Sequence, residues 1–251
     1  MSLNILILGG TGDSIKLYKA IQKQMPDLKV VLSEAGITHK KNKIKKNIRV
    51  GGFGGVTGLI EHLETAQIDA VIDATHPFAA QITAHAVEAC TKLKLPRLRL
   101  DRPQWIVPSE TDVMFVPDAE AAARIVARTS SSAFLTIGRK TLSAFDQISG
   151  VKLLVRLIEV PPEPLKLENC TIVTGRPPFS LAAEEALMRA HRIDTLVSKA
   201  SGGEATRAKI DAAAKVGARI ILIRRPPAPD GDHVFSIDEA VNWVKALKKR
   251  D

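Results

Sequence analysis

The first dozen residues constrain the fold more than any other stretch of the chain. An apolar run, Ile5–Leu8, has the length of a buried strand, and three glycines and a helical pattern follow it at once. A strand, a glycine turn and a helix in this order form the first crossover of a nucleotide-binding α/β domain. Glycine lets the backbone approach a phosphate closely, and the amides at a helix N-terminus attract its negative charge.

The glycine turn departs from the usual dinucleotide-binding pattern at one position. If Gly10 and Gly12 are its first two glycines, Ile15 stands where the third is expected. The sequence therefore predicts a variant phosphate loop, and the alternative is an ordinary tight turn between a strand and a helix. The expected cofactor-binding residues of this loop are Gly9, Gly10, Thr11, Gly12 and Asp13.

Composition narrows the classes of partner. The 251 residues, 45% of them hydrophobic, suffice for one large core or two modest ones. No apolar run approaches a membrane span of roughly 20 residues, and no signal peptide is recognisable. The two cysteines offer no disulfide framework. We therefore expect a cytoplasmic protein without a membrane partner. A net charge of +9 with only 4% aromatic residues favours a polyanionic small molecule over a nucleic acid. No metal site is expected.

The end of the second predicted strand, 28–32, decides which dinucleotide is expected. Ser33 could hold a 2′-phosphate together with the polar and basic side chains that follow it, whereas Glu34 could accept a hydrogen bond from a free ribose hydroxyl. Strand alternation sends Ser33 and Glu34 to opposite faces, so the sequence favours NADP over NAD. The residues that would assist Ser33 are Thr38, Lys40, Lys41 and Lys43, although the lysine run is also compatible with a solvated loop.

Two further segments of the first half are candidate site elements. Five glycines fall within the eight residues 51–58, a loop that could lie against a ligand, with Gly52 and Phe53 as substrate contacts. The predicted strand 70–75 ends at Thr75, and His76 follows it. Ligands of parallel sheets bind at such strand ends. Pro77 suits the first turn of a helix, which would make Thr75 or His76 its cap. A loop histidine without a catalytic role is the alternative for His76.

The second half repeats the alternation of strands and helices, which predicts an α/β fold with two domains, residues 1–110 and 111–251. Several of its strands end in a basic residue, which predicts a wall of positive charge at the ligand-binding edge. These residues are Arg139, Arg176, Lys199 and Arg224. The segment Ser201-Gly-Gly203 is expected to add free backbone amides, with Ser201 and Gly202 as anion-binding residues.

Taken together, the motifs resemble the precorrin-6A reductase family of cobalamin (vitamin B12) biosynthesis. The resemblance rests on Ile7-Leu-Gly-Gly-Thr11, Arg49-Val-Gly-Gly-Phe-Gly54, Asp73-Ala-Thr-His-Pro-Phe-Ala79, Leu98-Arg-Leu-Asp-Arg-Pro103, Thr136-Ile-Gly-Arg139 and Lys199-Ala-Ser-Gly203, in order over nearly the whole chain. The resemblance implies two Rossmann-like domains with parallel sheets and an active site in the cleft between them. It also implies NADPH-dependent reduction of one carbon–carbon double bond of precorrin-6A to give precorrin-6B.

The resemblance also gives the basic strand ends a partner. Precorrin-6A is a polycarboxylate tetrapyrrole, and arginine or lysine would pair with its carboxylates through charge-assisted hydrogen bonds. His76 is expected to orient the cofactor or a substrate carboxylate rather than to donate a proton. The alternatives are another NADP-dependent reductase of a carboxylate substrate and a non-catalytic nucleotide-sensing module. The sequence leaves the oligomeric state, a monomer included, and the presence of cobalt in the ring open.

Overall fold

Two parallel β-sheets organise the chain in the computed structural model, which describes residues 3–35 and 47–248. The strands are β1 (Asn4–Leu8), β2 (Lys29–Glu34), β3 (Ile48–Val50), β4 (Ala70–Asp73), β5 (Arg97–Leu100), β6 (Val113–Val116), β7 (Ser132–Thr136), β8 (Lys152–Leu157), β9 (Cys170–Thr174), β10 (Thr195–Lys199), β11 (Arg219–Ile223) and β12 (Asp232–Val234). The α-helices are α1 (Gly12–Gln24), α2 (Gly55–Thr65), α3 (Ala80–Leu93), α4 (Ala119–Thr129), α5 (Leu181–Ala190), α6 (Ala208–Val216) and α7 (Ile237–Lys248). The predicted basic run at 40–46 and Thr38 lie outside the described residues.

The first sheet has the strand order of a dinucleotide-binding domain. From one edge to the other it reads β3-β2-β1-β4-β5-β12, with every pairing parallel. Leu8, the last residue of β1, lies between Ser33 of β2 and Asp73 of β4. The strand order reverses between β1 and β4, and ligands of such sheets bind beyond the carboxyl ends of the strands at that point.

The second sheet repeats this order with different strands. It reads β9-β8-β7-β10-β11-β6, again entirely parallel. Its reversal point lies between β7 and β10, where Thr136 stands opposite Ser198. The predicted α/β fold with two Rossmann-like parallel sheets is therefore confirmed.

The division of the chain into units differs from the expected 1–110 and 111–251. One unit comprises Met1–Arg102 together with Pro226–Asp251, and the other comprises Pro103–Arg225. The C-terminal segment returns to the first unit because β12 pairs with β5 and because α7 packs against α1. In that contact, Val241 and Val244 of α7 are fully buried in the same apolar cluster as Leu17.

Alternating side chains of β1 show how the first sheet is stabilised. Ile5 and Ile7 belong to the apolar cluster on the side of α1 and α7, whereas Leu6 and Leu8 belong to the cluster on the side of α2 and α3. A strand buried on both faces has no polar alternation, which explains its continuous apolar sequence. Within the described ranges, no helix combines the length and the apolar character that crossing a membrane requires.

Candidate functional site

The turn after β1 is held tightly against the neighbouring strand. The Gly9 amide donates to the Ser33 carbonyl at 2.8 Å, and a Cβ at Gly9 would lie only 2.7 Å from the Leu32 side chain. Glycine at this position therefore lets the turn reach β2. It brings two predicted cofactor residues, Gly9 and Ser33, together at one edge of the sheet.

The N-terminus of α1 leaves backbone amides available in this turn. Thr11 is the N-cap, and its hydroxyl accepts from the Ser14 amide at 3.1 Å. The Gly12 and Asp13 amides precede the first intrahelical bond, which Ile15 makes to the Thr11 carbonyl. Gly10 has φ +100°, and a Cβ at Gly10 or Gly12 would meet no atom within 4 Å. Open space in front of helix N-terminal amides fits a phosphate group.

Asp13 is the one acidic residue of this turn, and its charge is compensated. Its carboxylate accepts from Arg102 Nε at 2.7 Å, and the Lys16 ammonium lies 3.9 Å away. A free carboxylate would repel a bound phosphate. The pair with Arg102 reduces the negative charge at this turn, while the Asp13 amide lies in the first turn of α1.

Sequence reasoning missed Arg49, which the sheet places directly beside Ser33. The two residues are register partners in β3 and β2, and Arg49 Nη1 lies 3.5 Å from Ser33 Oγ. The guanidinium also donates to the carbonyls of Gly51 and Gly52, at 2.6 and 2.8 Å. A hydroxyl and a guanidinium at the end of the second strand are groups that bind a 2′-phosphate. In the sequence, an arginine two residues before the glycine-rich segment 51–58 could have indicated this position.

The glycine-rich loop predicted over residues 51–58 is shorter in the structure. Helix α2 begins at Gly55, so Gly58 lies inside it, where a Cβ would come within 1.8 Å of the Phe53 carbonyl oxygen. Phe53 is partly buried, with the Arg49 guanidinium 3.8 Å from its ring centroid and the His62 ring at 5.2 Å. Burial, and secondarily the charge of Arg49, lower the pKa of His62. Gly52 and Phe53, predicted as substrate contacts, therefore contact Arg49, the register partner of Ser33.

A buried ion pair fixes the end of β4. Arg99 Nη1 lies 2.7 Å from Asp73 Oδ1, and both side chains are almost fully buried. Thr75 donates to the same oxygen at 2.7 Å, while Thr83 of α3 donates to Asp73 Oδ2 at 2.7 Å. Arg99 also donates to the Thr75 hydroxyl at 3.0 Å and to its carbonyl at 3.3 Å. The Thr75 side chain is thus engaged within the protein, and its position is set from three elements.

The same strand end is linked to the phosphate loop. The Thr11 hydroxyl donates to the Ala74 carbonyl at 2.9 Å, and the Ala74 amide donates to the Leu8 carbonyl at 2.9 Å. The residues predicted from β1 and from β4 therefore meet at the reversal point of the first sheet.

His76 lies in a turn and not at a helix cap. Helix α3 begins at Ala80, because Pro77 and Phe78 form a turn in which the Ala79 amide donates to the His76 carbonyl at 2.8 Å. The expectation that Thr75 or His76 caps a helix starting at Pro77 was therefore wrong. His76 Nδ1 accepts from the Phe78 amide at 3.2 Å. In the neutral ring this bond places the proton on Nε2, which makes that nitrogen a hydrogen-bond donor.

The basic strand ends of the second sheet form one continuous row. From β11 through β10, β7 and β8 to β9, each strand carries a base at or close to its carboxyl end. Four members were predicted, and Arg156 of β8 fills the gap between them. The row is Arg224, Lys199, Arg139, Arg156 and Arg176. Burial lowers the pKa of Lys199, whereas Arg139 and Arg224 are exposed.

Two predicted members of the second site are engaged in other contacts. Arg176 is paired with Glu159 at 2.6 Å on the surface of β8 and β9. The Ser201 amide donates to the Lys199 carbonyl at 2.7 Å, so it is not one of the free amides that the sequence predicted. Gly202 has φ +65°, and a Cβ there would lie 2.1 Å from the Pro103 carbonyl oxygen. Glycine at 202 is therefore needed for packing.

Comparisons with known proteins agree with this geometry. Residues 4–245 match the family model described as Precorrin-6x reductase CbiJ/CobK. The chain is 40% identical to the Precorrin-6A reductase of Rhodococcus erythropolis over 98% of its own length and 99% of the relative's, and 41% identical, with the same coverage, to that of Mycobacterium tuberculosis strain H37Rv. A solved structure described as CobK precorrin-6A reductase superposes with a TM-score of 0.91 at 34% identity, covering 97% of this chain and 96% of that one.

Proposed function

The chain belongs to the precorrin-6x reductase family CbiJ/CobK, and we propose that it takes NADPH as its reductant and precorrin-6A as its substrate. The resemblance seen in the sequence is confirmed over the full length. The protein is an oxidoreductase of cobalamin biosynthesis of the precorrin-6A reductase type, for which a nicotinamide cofactor supplies the hydride.

The pairing of Ser33 with Arg49 is the observation that carries the choice of NADPH. Arg49 is held by the Gly51 and Gly52 carbonyls, and its ring contact with Phe53 fixes the guanidinium plane. A pre-oriented guanidinium loses little freedom when it binds a phosphate. Glu34, which favoured NAD, follows Ser33 on the opposite face of β2. The positive charge beside Ser33 therefore supports the phosphorylated cofactor.

The other residues of the first sheet supply binding and orientation. We assign the amides of Gly10, Thr11, Gly12 and Asp13 to the pyrophosphate, with Gly9 keeping the turn close to β2. Thr75 positions the turn that carries His76, since its own hydroxyl is bonded to Asp73 and Arg99. We assign to His76 the orientation of the cofactor or of a substrate carboxylate, with its ring held in place by the Phe78 amide.

The basic row of the second sheet supports a polycarboxylate substrate. Lys199 is the last residue of β10, and Arg139 follows the end of β7. These two strands flank the reversal point, where a ligand of this sheet is expected. We assign the substrate contacts mainly to these two residues, with Arg176 at the periphery and Ser201 and Gly202 shaping the loop behind Lys199.

Arg49 provides a direct test of the cofactor. In Arg49→Leu, the loss of a charge-assisted contact should raise the KM for NADPH roughly ten- to a hundredfold while leaving that for NADH unchanged. The reaction is followed by the absorbance of precorrin-6A on mixing with either cofactor. Arg128→Leu, at an exposed position of α4, is the matched control. Equal use of NADH and NADPH by the parent protein would refute the proposal.

A further inference from the structure

Three charged side chains lie buried together near the ligand-binding edge of the second sheet. Arg156 is the penultimate residue of β8, Glu184 lies in the first turn of α5, and Lys209 lies in the first turn of α6. The side chains of Arg156 and Glu184 are 11% and 1% exposed, and Lys209 as a whole residue is 8% exposed. None of the three was singled out as a site residue from the sequence.

Glu184 is the one carboxylate among these three side chains, and it is paired with Arg156. Arg156 Nη1 lies 2.7 Å from Glu184 Oε1 and 2.9 Å from Oε2. The guanidinium is also held between two rings, with Phe179 at 4.1 Å and Phe134 at 4.8 Å from the respective centroids. Both oxygens of Glu184 therefore contact Arg156, and the charge of Glu184 also acts on Lys209.

Lys209 carries the second positive charge of the cluster. Across the described ranges its ammonium makes no ion pair with a carboxylate, and it lies instead 5.5 Å from the ring centroid of Trp105. The cluster therefore carries two positive charges and one negative charge. Burial and then the charge of Arg156 lower the pKa of Lys209 to about 8, while the charge of Glu184 acts in the opposite direction. A buried ammonium whose neighbouring carboxylate is already paired costs free energy in folding. Charged side chains perturbed in this way are concentrated at functional sites.

The charge and the position of the cluster identify the anion. One excess positive charge is neutralised by one carboxylate, whereas a phosphate monoester would leave the cluster negative. Trp105 is partly exposed, and its indole N–H donates to the Gly203 carbonyl at 2.9 Å, in the loop that follows Lys199. The cluster thus adjoins the loop to which we assigned the polycarboxylate substrate.

We infer that Lys209 binds one carboxylate arm of the substrate at a site covered by Trp105, with Glu184 and Arg156 fixing its surroundings. This inference rests on the proposed function, because it takes the substrate to be a polycarboxylate. Lys209 thereby binds one arm of the macrocycle, in addition to the carboxylates that we assigned to Arg139 and Lys199.

The test is a binding measurement without cofactor. In a Trp243→Phe background Trp105 is the single tryptophan, and quenching of its emission by precorrin-6A reports binding at this site. Lys209→Met should raise the Kd for precorrin-6A about tenfold or more, the expected loss for a charged hydrogen bond. Lys215→Met is the control, since Lys215 lies on the same helix but is exposed and paired with Glu185 at 3.0 Å.

The outcomes separate this inference from the proposed function. If Lys209→Met binds precorrin-6A as tightly as Lys215→Met, the arm site is refuted whatever the enzymatic activity. If Lys209→Met instead weakens NADPH binding, the anion is a cofactor phosphate and the inference is equally overturned. If the parent binds precorrin-6A but does not reduce it, the arm site stands while the proposed reaction fails. Absence of binding by the parent would refute both.

Discussion

Lys209→Met should make the protein more stable at neutral pH, although it removes a charge. The pKa of Lys209 is lowered from 10.5 to about 8, mainly by burial. A difference of about 2.5 units corresponds to about 3 kcal/mol of unfavourable free energy for the charged form in the folded state. Methionine fills much of the same volume without the charge, and Glu184 keeps Arg156 as its partner. The variant should therefore gain up to about 3 kcal/mol at pH 7.

The stability difference between Lys209→Met and the parent should depend on pH in a defined direction. Between pH 8 and pH 10.5 the unfolded chain binds the Lys209 proton more tightly than the folded protein does, so the contribution of this group to stability rises with pH. The penalty is fully present below pH 8 and is relieved as the pH rises through that window. The advantage of Lys209→Met over the parent should therefore be largest at pH 7 and shrink towards pH 10.

Urea unfolding of the Trp243→Phe protein measures this effect, because Trp105 then reports the unit that contains Lys209. Subtracting the curves of Lys215→Met cancels the lysines, tyrosine and thiols that also titrate above pH 8. A variant that is less stable than the parent at pH 7 would show that the Lys209 ammonium is compensated in the folded protein. An advantage that does not change with pH would contradict the reasoning as well, since it would arise from packing alone.

Three further results are expected. Arg99→Leu leaves Asp73 buried without its cation and should destabilise the first unit by roughly 3–5 kcal/mol in thermal or urea unfolding, whereas Arg97→Leu, at a more exposed position of the same strand, should cost far less. His76→Asn should retain much of the reductase activity and His76→Ala should lose most of it, because an orienting hydrogen bond survives only in the first; equal inactivity would favour proton transfer. Gly202→Ala should lower the melting temperature and the affinity for precorrin-6A but not for NADPH, since its Cβ meets the Pro103 carbonyl at 2.1 Å.

The sequence by itself determined the class of fold and the edge of each sheet where ligands are expected. The apolar run of β1, the glycines after it and the helical spacing of α1 are local patterns, and each depends on residues close together in the chain. The basic residues at or just after the carboxyl ends of β7, β9, β10 and β11 were predicted for the same reason, because parallel strands bring these ends to one edge of the sheet. The motif at 73–79 and the glycines at 9–12 likewise marked the neighbourhood of the first site.

Tertiary structure alone decided which distant segments complete each sheet. Strands β6 and β12 have only four and three residues, too few for a distinctive period, and each is defined by the strand that it joins. The return of α7 to α1 follows from which apolar faces remain to be buried, which no local pattern records. The same holds for the sites: Arg49 meets Ser33 through strand register, and Arg156, Glu184 and Lys209 meet from three separate elements. Charge balance in a buried cluster depends on distances between side chains, and those distances are set only when the sheets and helices pack.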